Sequence, residues 1–155
     1  MIVVGDTGPL NYLVLIGHAE ILPAIFTRVL IPKAVAKELS SSQASRLVRQ
    51  WIETPPSWLD IRPDPADDGT LSTLDYGERA AIASAITLGA PRILMDDMDG
   101  RLEAERRRLQ VTGTLGLLVE AHHRGLLDFE DALSKLAATS FYLSPALIAR
   151  VRQLL

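Results

Sequence analysis

Five short apolar runs recur along this chain, each separated from the next by residues with helical spacing. The runs fall at residues 2–5, 29–31, 59–61, 92–95 and 110–111. Short apolar runs bounded by turn residues read as buried strands. Strands alternating with helices imply a parallel sheet covered on both sides, so the expected fold is a three-layer α/β/α with a central parallel five-stranded sheet. Right-handed crossovers restrict the topology but leave strand order open.

The intervening helices are expected over residues 6 to about 17, 18–26, 32–39, 43–52, 74–88, 99–109 and 114–124. Two more follow at 130–138 and 145–155. Gly89 and Gly125 stand where helices should end. Residues 63–72 read as a polar loop. No repeat or linker divides the chain, so 1–155 is expected to be a single domain. Its last two helices (about 129–155) would pack on that domain or on a partner.

Composition narrows the class. The chain has 155 residues, 48% hydrophobic and 23% charged, with aromatics at only 5%. A core of Leu, Ile, Val and Ala suits α/β packing. There is no cysteine, which removes disulfides and thiolate metal sites and agrees with a cytoplasmic setting. Neither a secretory signal nor a bilayer-length apolar run is present. The formal net charge of −3 is no argument for nucleic acid, although Arg101, Arg106, Arg107, Arg108 and Arg124 form a local reserve of positive charge.

Carboxylates at strand ends are the most informative polar feature. Asp6 follows the first strand, and Asp96, Asp97 and Asp99 follow the fourth. In parallel α/β sheets ligands bind beyond the carboxyl ends of the strands. If the two strands are neighbours, these side chains share one pocket, and a divalent cation is the usual reason to tolerate their repulsion. In an extended segment Asp97 and Asp99 are expected to share a side while Asp96 faces away. Asp6 also reads as a helix cap, and Asp75 with Glu78 as a capping box. Gly77, costly in a first helical turn, makes sense if something approaches the backbone there. Glu38, beside the apolar pair Val35 and Leu39, reads by itself as a solvated residue.

The order of these pieces resembles the PIN-domain nucleases, in particular the VapC-like branch of toxin–antitoxin systems. The matching stretches are 3–10 (VVGDTGPL), 31–39 (IPKAVAKEL), 74–85 (LDYGERAAIASA), 93–101 (ILMDDMDGR) and 111–118 (VTGTLGLL). The LDYGE and TGTLG blocks point to an uncharacterised PIN-like subgroup. The resemblance implies that the strands carrying Asp6 and Asp97 lie side by side. It also implies an acidic catalytic set of Asp6, Glu38, Glu78 and Asp97. Metal ligands would be Asp6, Glu78, Asp97 and Asp99, with Asp96, Thr7, Thr114 and Arg101 as auxiliaries. The third acidic position, often Asp in such proteins, is Glu78 here, and the Asp96-Asp97 doublet leaves the fourth ligand open by one residue.

What the resemblance implies functionally is a metal-dependent endoribonuclease, a toxin using Mg²⁺ or Mn²⁺. RNA would be its substrate and a small antitoxin its partner, in a homodimer or a toxin–antitoxin hetero-oligomer. Two rivals are weighed against it. A catalytically silent PIN-fold binding module should have lost acidic residues that this chain keeps. An aspartate-nucleophile phosphatase of the haloacid-dehalogenase type would use the loop at Asp97, but carries it near the N-terminus, and Lys135 is the only lysine after it.

Overall fold

The computed structural model describes residues 1–66 and 69–155. Within them a single five-stranded sheet is formed by β1 (Ile2–Gly5), β2 (Arg28–Pro32), β3 (Leu59–Arg62), β4 (Arg92–Leu94) and β5 (Gln110–Thr112). All pairings are parallel and the order is β3-β2-β1-β4-β5. This is the α/β/α architecture expected from the sequence, and it adds the strand order that periodicity left open. The chain builds outward from β1 through β2 to β3, then returns to the other side of β1 for β4. Between β1 and β4 lies the topological switch point, with Val3 opposite Arg92, Val4 opposite Ile93 and Gly5 opposite Leu94.

Alternation along these short strands divides the apolar residues between two cores, because successive side chains face opposite sides of a sheet. Val3, Val29, Ile31 and Leu94 join one core. Val4, Leu30, Ile93 and Met95 join the other. The first core is closed by α1 (Thr7–Leu15), α2 (Ile21–Ile25), α3 (Lys33–Leu39), α4 (Arg46–Glu53) and α7 (Thr114–His123). The second is closed by α5 (Tyr76–Thr87) and α6 (Met98–Arg106). In α5 the small residues Ala81 and Ala85, fully buried, let the helix sit close on the sheet.

The last helices, α8 (Phe129–Ala137) and α9 (Pro145–Arg152), add Phe129, Leu133, Leu136 and Val151 to the first core. The N–H of Phe129 donates to His122 Nδ1 at 3.1 Å, so His122 ties α7 to α8 rather than standing free at the surface. Arg152 and Glu130 join the two helices by a paired ion bridge at 2.9 Å. Helix starts are set by capping side chains: Ser45, Asp75, Asp128 and Ser144 each accept an N–H from the first turn. These caps explain why α4 begins after the expected residue 43 and α5 after residue 74. Of the polar loop at 63–72, Asp67 and Asp68 lie outside the described residues. Among the described residues no helix is long and apolar enough to cross a membrane.

Ile93 is fully buried at the centre of the sheet. Its truncation in Ile93→Ala should lower unfolding free energy by about 2–5 kcal/mol. Denaturant titration checks this, and a loss below ~1 kcal/mol would contradict a close-packed second core.

Candidate active site

Asp6 follows directly on β1, and its N–H donates to Leu94 O at 2.9 Å, carrying the β1–β4 ladder one residue past the strand. The residue occupies the N-cap position of α1, yet its side chain makes no capping bond. Its carboxylate is buried instead, and among the described residues Oδ1 has no hydrogen-bond partner. Buried polar atoms in folded proteins are nearly always satisfied, so an orphaned one calls for a ligand. Burial pushes the Asp6 carboxyl up to about 7; the charges of Glu38, Asp75 and Asp96 push the same way, while the Thr7 backbone N–H holds it back.

Glu38 reaches this crevice from α3. Thr7 Oγ1 donates to Glu38 Oε2 at 2.5 Å, fixing the carboxylate over the start of α1. Its other oxygen lies against the first turn of α5, where a Cβ on Gly77 would stand 2.0 Å from Glu38 Oε1. The close approach expected at Gly77 is therefore the approach of Glu38. One residue on, Glu78 is held through its backbone, whose N–H donates to Asp75 Oδ1 at 2.8 Å. Half of the capping box is thus present. The Glu78 side chain meets the carboxyl of Asp75, not the backbone. Burial pushes Glu78 up to about 8, assisted by the hydrogen bond with Asp75 and by the charges of Asp75, Asp97 and Asp6. Asp75, read from the sequence as a cap alone, is a fifth member of the acidic group; only its place in the capping motif signalled it.

The acidic run after β4 departs from the alternation expected of an extended segment. Helix α6 starts at Met98, so Asp97 is its N-cap and Asp99 lies in its first turn. Asp97 Oδ2 accepts the Gly100 N–H at 3.1 Å, while Asp97 and Asp99 are both exposed. Asp96, expected to face away, is the residue turned into the fold. Thr114 donates to it twice, from N at 2.7 Å and from Oγ1 at 2.6 Å. A Cβ on Gly8 would come within 3.1 Å of Asp96 Oδ2, and one on Gly113 within 2.8 Å of Oδ1. Burial raises the Asp96 carboxyl, while the two Thr114 bonds and the Arg101 charge lower it. The start of α6 also packs tightly, since a Cβ on Gly100 would lie 2.4 Å from Met95 Sδ.

Arg101 donates from Nη1 to Met95 O at 3.3 Å and lies beside Gly113. The rest of the basic reserve is largely spent elsewhere. Arg106 and Arg107 pair with Glu103 on their own helix, and Arg124 with Glu120. Lys135 pairs with Asp131 within α8, away from Asp97, which leaves a phosphatase-type loop at Asp97 without its lysine.

Among the described residues no three carboxylates or histidines converge closely enough to grip an ion as they stand. The donor set nonetheless fits a hard divalent cation: carboxylate oxygens only, like charges that raise one another's pKa, and an unpartnered Oδ1 on Asp6.

The raised acids make a signed prediction. Asp6 and Glu78 start from ordinary values of 3.8 and 4.5 and are higher in the folded chain. The folded state therefore holds more protons than the unfolded one above those values, and stability falls as pH rises toward 7 and 8. In chelator, the thermal midpoint should drop between about pH 5 and pH 8, and Asp6→Asn should flatten the drop. A midpoint that climbs over this range would refute the like-charge cluster.

The comparison with known families agrees with the geometry. A family model for the DUF3368 PIN domain matches residues 2–155. No curated protein and no solved structure gives a significant match. With β1 and β4 paired, their trailing carboxylates in one crevice and the match running through residues 2–155, the chain belongs to the PIN-domain family, whose fold is of the nuclease type.

Proposed function

We propose that the chain is a divalent-metal-dependent endoribonuclease of the VapC-like toxin branch. The observation that carries this reading is the orphaned carboxylate oxygen of Asp6 at the switch point, with Glu38, Asp75, Glu78 and Asp96 near enough for their charges to act on it. PIN domains are in general nucleases, and so hydrolases. RNA as the substrate, and a small antitoxin in a cytoplasmic hetero-oligomer, rest on the sequence likeness to the VapC-like branch.

Asp6 and Asp96 are the central pair, both facing the crevice from the ends of neighbouring strands. Glu78 and Asp97 complete it from the side of α5 and α6, and Asp99 stands further out as an auxiliary ligand. A bound Mg²⁺ or Mn²⁺ would supply positive charge at the scissile phosphate and acidify an attacking water. Thr114 donates to Asp96 and Thr7 to Glu38, and Arg101, which donates to Met95 O, would offer its other N–H groups to a phosphate oxygen. To hold a cation Asp6 and Glu78 would have to give up their protons, so binding should tighten as pH rises.

Cleavage of single-stranded RNA should require Mg²⁺ or Mn²⁺ and stop in chelator. Asp6→Asn and Asp96→Asn should each reduce it by about a hundredfold or more, as loss of a principal charged group in a site does. Unchanged cleavage in both variants would sink the assignment, and RNA binding with no cleavage by the parent chain would favour a silent module instead.

Gly77→Ala separates the site from the scaffold. The clash is with the movable end of Glu38, and alanine is the better helix former, so the thermal midpoint should hold or rise. The carboxylate of Glu38 is displaced, so Mn²⁺ affinity measured by calorimetry should fall several-fold. Equal Mn²⁺ affinity in the two proteins would remove Glu38 from the site.

A further inference from the structure

From Asp96 and Asp97, at the edge of the acidic crevice, opens a cleft of about 1000 Å³. It runs from Asp96, Asp97 and Arg101 toward the segment that joins α8 to α9 and toward Leu147, Arg150 and Val151 of α9. Its far wall is aromatic. Phe141 is fixed edge-on against Tyr12, with ring centroids 5.0 Å apart, and Ser140 Oγ lies 3.1 Å from the Tyr12 hydroxyl. That anchored pair presents the next residue, Tyr142, outward with 81% of its surface exposed. Arg150, exposed on α9, also lines the cleft and makes no ion pair with any described residue.

We propose that this cleft seats the single-stranded flank of the nucleic-acid substrate, with one base stacked on Tyr142 and a backbone phosphate met by Arg150. The inference rests on the nuclease reading above and extends it from the cut bond to the strand leading away from it. Three observations favour a nucleic-acid strand over a protein segment. Most arginines of this chain's second half are neutralised by glutamates, whereas Arg150 lines the cleft without such pairing. An exposed aromatic face beside a guanidinium group without an ion-pair partner is the combination that single strands use, bases stacking while cations follow the backbone. Finally, the cleft is continuous with Asp96 and Asp97, so a strand lying in it leads to the acidic group. Stacking needs an unpaired base, so the cleft selects single-stranded over duplex RNA without reading sequence.

The test uses the full chain, a short fluorescent single-stranded RNA of mixed sequence, and chelator to prevent cleavage. Tyr142→Ala and Arg150→Ala should each weaken binding by about five- to tenfold, and Tyr142→Phe should restore it because the ring is what stacks. Arg150→Ala should also flatten the dependence of log affinity on log salt by about 0.7, one phosphate contact on a single strand. Thermal midpoints should stay unchanged, since both side chains are exposed. In Mn²⁺ both alanine variants should raise KM with kcat nearly constant. Parent-like binding and KM in both variants would overturn the cleft assignment while leaving the nuclease intact. A shift in monomer–dimer equilibrium by light scattering, with RNA affinity unaltered, would overturn it in favour of a second copy of the chain. A parent chain that neither binds nor cleaves RNA would overturn the nuclease reading and the cleft with it.

Discussion

Val4 and Gly5 lie opposite Ile93 and Leu94, and the ladder closes with the bond from Asp6 N–H to Leu94 O. Everything at the crevice follows from this pairing. It sets the two strand ends side by side, so that Asp6 and the residues after β4 leave the sheet at the same height. Because the chain reverses its direction of growth between these strands, no crossover helix covers the gap, and ligands have access to it. The register also fixes which carboxylate turns inward. Met95 continues β4 into the second core, its N–H bonded to Thr112 O, and Asp96 then faces the start of α7 and meets Thr114.

Around this pair the fold holds negative charge close together by removing side chains. Gly8 and Gly113 flank Asp96, and Gly77 admits Glu38. Each lets a backbone approach a carboxylate where a methyl group would intrude. Burial first, and then the charges so assembled, push Asp6 up to about 7 and Glu78 up to about 8. Such an arrangement is poor for stability alone and well suited to a cation, because the site's repulsion is relieved when positive charge arrives.

Much of this was legible in the sequence. Strand–helix alternation specifies the layers, because period and length follow from burial, and capping residues such as Asp75, Asp128 and Ser144 mark helix starts. Strand order was not legible from periodicity, because pairing is a long-range choice that local pattern does not encode; the family likeness implied only that the first and fourth strands are neighbours. The acidic run shows where local reasoning fails. Alternation sent Asp96 outward, yet Asp97 caps α6, and the helix starting there takes Asp97 and Asp99 out of the extended geometry. Thr114, eighteen residues away in sequence, decides the outcome for Asp96. Gly77 was legible as an anomaly; its partner Glu38, on a different helix, was not.

The Asp6 amide belongs to the central ladder, which gives the site an unusual place in the hierarchy of motions. Active sites carried on loops open by local fluctuation, at free energies well below that of global unfolding. Here the residue at the heart of the crevice is hydrogen-bonded between the central strand β1 and its neighbour β4. Its backbone is released only when those strands part. In hydrogen exchange, Asp6 therefore belongs with the slowest amides of the protein. Adaptation to different substrates must come from the side chains and from the surrounding helices and loops.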